Sequence, residues 1–437
     1  MKKVLVFFSA FAILLFAGCE TLPVSEELQN PVPEDTIAKE GQENEDPSGQ
    51  EDNPSMQVYH PAVPIRLSVS DKTVLTASNQ FGLNVFGQLL SLNEGAGNVA
   101  FSPLSLSLAL AMAAEGAAGE TYNQFSAVLG WGDATREEVG SFYKTMLSGL
   151  IEADPLVSFS SSNSLWAALD LNLKEQYRTQ LAESFNAESF SVDFTLPKTL
   201  SQINDWCSDK TGGKIPKMLY DLDPATRLML INALLFKAPW TIEWDVEEGR
   251  DFQGVQAVVK KDYLYADNMQ RYRAFEGYSA AGVQYGNGAY ELILILPDEG
   301  KSVEDILDNL DVDALKSMQV TPMELYLPKF SEEYSTEDKL PKSLNALGLK
   351  LPFINAADFS GISSEQLSVN AIMQRTAIDV TEKGTEFAAV TMAIMASSAG
   401  PGQEEPEKVV FDLNRPFAYI IRETSTNAIL LMGTLFQ

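Results

Sequence analysis

The stretch "SPLSLSLALAMAAEGAAG", residues 102–119, limits the fold more than any other part of the chain. Ser102 followed by Pro103 reads as a helix start: a serine hydroxyl can accept an orphan amide of the first turn, and proline suits the first helical position. The helix that follows is apolar on nearly every face, so it belongs inside a core that encloses it. Ser105 and Ser107 are carried inward with it, and buried hydroxyls need partners. Only a large domain can surround such a helix. The preceding segment "DKTVLTASNQFGLNVFGQLLS" places Leu75, Phe81, Leu83, Val85, Phe86 and Leu89 near helical spacing and supplies one covering face. With 437 residues, 45% of them hydrophobic, the chain has enough apolar surface for the task.

Strands follow. "RLMLINALLFKAPW" (227–240) and "AYELILILPDEG" (289–300) are continuous apolar runs, expected of central strands covered on both faces. The first carries the amide Asn232 and ends at Trp240; the second closes on a turn from Pro297 to Gly300. "MELYLPKFSEEYST" alternates as one half-buried strand, and "RPFAYIIRETSTNAILLMGTLF" is two apolar runs around "RETSTNA", a hairpin. No repeat, linker or break in composition follows residue 67, so residues 67–437 read as one α+β domain.

The histidine count excludes most hydrolytic chemistry. The chain has a single histidine, His60, and it lies in a tail rich in Pro and acidic residues. Ser-His-Asp or Cys-His catalysis and His-based metal sites need imidazole inside the folded body, so neither an enzyme nor a metal or other cofactor is expected. Of the two cysteines, Cys19 falls in a leader and Cys207 is expected to be a lone, partly buried thiol. The net charge of -29 argues against nucleic acid as a partner, because phosphates would be repelled.

Residues 1–18 read as a cleaved leader. Lys2 and Lys3 precede an apolar run too short to span a bilayer. The following "LFAGC" resembles the bacterial lipobox, with Phe16 where leucine is more usual, which implies lipidation of Cys19. Residues 19–66 form an acidic tether, with eleven acidic residues between Glu20 and Asp52. The expected location is a bacterial cell envelope, with the lipid anchor in the outer membrane as the only membrane contact and the domain periplasmic or surface-exposed.

In order along the chain, several of these segments resemble those of the serpins. The resemblance is carried by "NVAFSPLSLSLALAMAAEGAAGET", "INDWCSDKTGGKIPKML", "LINALLFKAPW", "LPKFSEEYSTEDKLPKSLNALGL", "ADFSGIS" and "FDLNRPFAYIIRETSTNAILLMGTLF". It covers the chain from about Asn79 to Phe436 and implies a serpin fold: three β-sheets surrounded by about nine helices, with an exposed reactive loop near the C-terminus. It also implies an inhibitor that acts as a suicide substrate. A protease cleaves the loop and forms an acyl-enzyme, and the freed loop enters the main sheet as a strand before deacylation. The alternative within the family is a non-inhibitory member acting as a cleavable binding or scaffold protein.

The loop falls on "EKGTEFAAVTMAIMASSAGPGQEEPEK". Residues 387–403 carry no charge, and about half are Ala, Gly or Ser. By the family's spacing the reactive bond is Ser398–Ala399, with Met395 or Ala396 as other cleavage residues. Glu382, Lys383, Gly384, Thr385, Glu386, Phe387, Ala388 and Ala389 match the hinge of inhibitory members except at Phe387, where alanine is usual. Alternate residues from Thr385 to Ser397 should face inward after insertion, Phe387 among them. With no Lys, Arg or Asp between Lys383 and Lys408, the loop suits elastase-like, subtilisin-like or chymotrypsin-like enzymes, some cysteine proteases included. Ser102, Ser105 and Asn232 match the polar cluster that controls opening of the main sheet. Gln374 replaces the usual histidine there, and Trp240 matches the tryptophan at the loop's entry. A monomer is expected.

Overall fold

The computed structural model describes residues 60–93, 97–307, 310–336, 339–369, 372–385 and 407–437. The enclosed helix is present as α2 (Pro103–Glu115), capped by the Ser102 hydroxyl, with almost every residue buried. It packs against α1 (Val69–Leu92), which turns Phe81, Val85, Phe86 and Leu89 inward. Ser78 donates to Ser107, which donates to the Leu104 carbonyl, so one embedded hydroxyl is satisfied as required. Helices α3 (Gly119–Leu129), α4 (Arg136–Glu152), α5 (Glu175–Phe185), α6 (Pro197–Lys210), α7 (Val303–Leu307) and α8 (Lys339–Ala346) complete the helical set among the described residues.

Six strands make the main sheet, in the order β10 (Phe330–Ser335), β11 (Arg375–Thr381), β12 (Gly384–Thr385), β4 (Leu228–Pro239), β2 (Ser158–Ala168), β3 (Ala187–Val192). The other sheet has nine, eight of them in the order β1 (Ala100–Phe101), β15 (Ile429–Leu435), β14 (Phe417–Glu423), β8 (Tyr290–Pro297), β7 (Tyr278–Tyr285), β6 (Val258–Phe275), β9 (Gln319–Pro328), β13 (Val409–Asp412). The ninth, β5 (Asp245–Gln253), pairs with β6. The three sheets expected are thus two hydrogen-bonded ladders among the described residues. The cause is β6, whose 18 residues pair with β5 and β9 over most of its length and with β7 over its last turn of pairing, fusing two sheets into one.

The C-terminal hairpin stands as expected, buried at every position of both strands. Two expectations change. "MELYLPKFSEEYST" is two strands broken at Lys329: β9 pairs with β6 and β13 in one sheet, and β10 pairs with β11 in the other. Strand β4 is only half-buried from Leu234 to Lys237, although its run is apolar. Upstream, the body already engages the chain before residue 67: the Val63 amide donates to Ala153 and the Ile65 amide to the Ser425 hydroxyl.

Candidate functional site

Strand β11 ends at Thr381, turns through Glu382 and Lys383, and re-enters the main sheet as β12. The re-entry is antiparallel on both sides: Gly384 pairs with Thr381 and Pro239, and Thr385 with Val380 and Ala238. Gly384 has φ of 135°, and a Cβ there would lie 2.1 Å from the Ala238 carbonyl oxygen. Its role is therefore close approach to β4 as well as the bending freedom expected of a hinge. Thr385 is buried, as its inward position requires, and its hydroxyl lies 2.6 Å from the Tyr285 phenol oxygen. Burial pushes the Tyr285 phenol up, so it stays protonated and able to donate.

Trp240 closes this end. Its indole donates to the Thr381 carbonyl at 2.7 Å and stacks on Tyr285 with centroids 4.4 Å apart. Glu382 pairs with Lys329 at 2.7 Å, and the hydrogen bond from that ammonium holds the carboxyl below its usual range. Glu382, Lys383, Gly384 and Thr385 thus form a two-residue turn and a two-residue strand pinned by Trp240, Tyr285 and Lys329.

Below Thr385, β4 and β11 are joined only through β12 among the described residues. A cleft continues there, lined by Phe236, Ile378, Ile421 and Leu431, and reaches Asn232 and Gln374. The expected polar cluster meets in this cleft but forms two separate halves. Gln374 accepts from the Ser102 amide at 2.7 Å and donates to the Ser102 carbonyl at 3.0 Å, while the Ser102 hydroxyl donates to Leu430. Asn232 donates instead to Ser161 and Asn163 on neighbouring β2, both at 2.8 Å. The Asn232 carbonyl oxygen and the Ser105 hydroxyl are buried without a hydrogen-bond partner.

Three contributors had no local signal in sequence. Tyr285 and Lys329 come from β7 and the β9–β10 junction, far from the hinge in the chain, and Ser161 and Asn163 lie on a strand noticed only for its place in the fold. Cys207 is free and fully buried rather than partly so, and burial pushes its thiol up to about 12, which removes it as a nucleophile at neutral pH. Cys19, Glu386, Phe387, Ala388, Ala389, Ser398 and Ala399 lie outside the described residues.

The family model described as "Serpin (serine protease inhibitor)" matches residues 76–437. This chain belongs to the serpin family. It is similar to Iripin-2 of Ixodes ricinus, 33% identical over 371 residues that cover 82% of this chain and 91% of that one. A serpin-like protein of Thermococcus kodakarensis is 32% identical over 377 residues, covering 84% and 86%. Among solved structures, the thermophilic serpin tengpin in its native state superposes with a TM-score of 0.74 at 28% identity, covering 86% of this chain and 97% of tengpin. The thyroxine complex of thyroxine-binding globulin gives 0.75 at 23% identity, covering 84% and 99%, a likeness of fold alone. As the family's name states, serpins as a class inhibit proteases rather than catalyse reactions.

Proposed function

We propose that this serpin is a single-use inhibitor of serine proteases with small or apolar specificity, and that its cleaved loop fills the seam between β4 and β11. The observation that carries the reading is the seat of Gly384 and Thr385, already paired to both flanking strands. Continued in that register, an inserted strand would set Phe387 between Phe236 and Ile378 and Thr391 between Asn232 and Gln374. The two orphan polar atoms of the cleft, on Ser105 and Asn232, would then have a hydroxyl beside them. The inserting half carries no proline and one charge, Glu386, which alternation points to solvent.

Insertion has to outrun deacylation. For a protease turning over near the enzyme median of about 10 per second, that leaves on the order of 100 ms. Phe387 is the position that decides the outcome: the cleft walls of Phe236, Ile378, Ile421 and Leu431 suit an aromatic side chain. A second reading, a cleavable serpin that does not trap, is favoured only by the size of that side chain.

Cleavage at Ser398–Ala399 suits elastase-like, subtilisin-like or chymotrypsin-like enzymes. We further propose that a monomer is tethered by lipidated Cys19 to a bacterial outer membrane, the domain standing clear on residues 19–66. Mixing the protein with pancreatic elastase or subtilisin and running a denaturing gel tests the inhibitor reading. A band at the summed mass supports it, and a nicked product alone refutes it. Recovery of the mature protein unlipidated from culture medium would refute the anchor.

A further inference from the structure

The strands that resume after the reactive loop present a face that loop insertion does not use. On β6, β9 and β13, buried Leu264, Ala266, Leu325, Leu327 and Phe411 alternate with side chains that point outward. Register sets the outward side chains in rows. One row runs Asp245, Tyr265, Tyr326, Asp412, and the next runs Asp267, Glu324, Val410. The two tyrosine rings meet at 4.8 Å with a 35° tilt. Met269 and Val410 beside them are 54% and 63% exposed, an unusual density of open apolar surface for a chain this charged.

The charges on this face are unevenly matched. Arg250 lies 4.0 Å over the Tyr326 ring and pairs with Asp412, and Lys408 pairs with Asp267. Among the described residues, Glu324 and Asp245 have no ion-pair partner. An open Tyr265 ring flanked by unpaired carboxylates is a seat for a cation, because the ring face and the carboxylates attract the same guest. Arg250 over Tyr326 shows the same contact made within the chain. A second copy of this chain, itself at -29, would be repelled.

We propose that this face is a docking surface for the protease the loop captures, with an arginine or lysine of that protease seated on Tyr265 against Glu324. The inference rests on the inhibitor reading for its partner. Continuity supports it: Lys408 and Val409 are where the chain resumes after the loop, and both belong to this face. A protease held on the loop is therefore within a few residues of it. Such a surface acts mainly on the association rate and its salt dependence.

The test compares two proteases of the same small-residue preference, a basic elastase and an acidic subtilisin-class enzyme. The rate constant of loop cleavage is measured at low and physiological salt for Glu324→Gln and for the Tyr265→Ala/Tyr326→Ala pair. With the basic elastase, cleavage should slow roughly three- to tenfold and lose much of its salt dependence, as expected for a rim cation contact. The acidic enzyme should cut wild type and variants alike. Equal slowing with both enzymes, or no slowing with either, would overturn the proposal. Cleavage is read whether the product is trapped or released. A chain that is nicked but never trapped would therefore defeat the inhibitor reading, while the same rates still decide the docking face.

Discussion

The β14–β15 hairpin and the seam between β4 and β11 are both built from apolar strands, yet their polar groups are treated in opposite ways. In the hairpin wall, Glu291 accepts from Arg422 and Arg271, Arg422 also donates to Asn427, and Glu423 accepts the amides of Ser425 and Thr426. Each of these charges is answered. In the seam, Ser105 and Asn232 carry buried polar atoms with no partner, and β4 is half-exposed over four consecutive positions. An unsatisfied buried group costs about 1–3 kcal/mol. The molecule therefore combines a wall that resists opening with a seam held in a costlier state, which is how cooperative units of unequal stability arise.

The largest expected effect breaks the wall. Glu291→Gln would strand Arg422, which is only 2% exposed, beside Arg271 with no anion. Losing one partner of a buried pair costs roughly 3–5 kcal/mol, so urea denaturation should show a matching loss.

The next effect belongs to the seam once filled. If the cleft accommodates Phe387, Phe387→Ala should lower the stability of the loop-cleaved form by about 1.5–3 kcal/mol, the worth of burying that ring. The intact form should be unchanged. A higher trapped fraction for the variant would mean instead that the ring overpacks the seam.

Gly384→Ala acts on the seat itself. The positive φ and the contact with Ala238 imply a cost of order 1–3 kcal/mol, read as a shift from trapped to nicked product on a gel. Ser105→Ala should go the other way, because removing an orphan hydroxyl relieves a penalty: the intact protein should be unchanged or up to about 1 kcal/mol more stable.

The smallest effect is a pH dependence. Lys329 holds Glu382 below its usual range, so the ion pair stabilises the turn at neutral pH, and that contribution is lost as pH falls through the carboxylate range. Both groups are about a third exposed, which keeps the effect small. Amide exchange at Gly384 and Thr385 should rise between neutral pH and acid, and Lys329→Met should remove that rise. With Gln374 in place of an imidazole, no step near pH 6.5 should accompany it.

Much of the fold was legible because burial leaves its mark in composition. The helix α2, the strand β8 and the hairpin are continuous apolar runs whose type follows from caps and turns. The β9–β10 break was not legible, since the alternation passes smoothly through Lys329 while the partner strands change sheets. Gln374, Ser102 and Asn232 were found, but their pairing was not. Asn163 stands directly opposite Asn232 on β2 and takes its amide, a contact set by register between distant segments. Tyr285 escaped notice for the same reason: a phenol 100 residues from Thr385 gives no local signal.

The central claim is that the seam between β4 and β11 receives the cleaved loop. It is tested most directly by cutting the loop with a catalytic amount of elastase and comparing thermal unfolding of the intact and cut protein. Insertion adds a central strand and satisfies the seam, so the cut form should melt at a markedly higher temperature. A cut form that melts at the same temperature as the intact protein, or below it, would contradict the account.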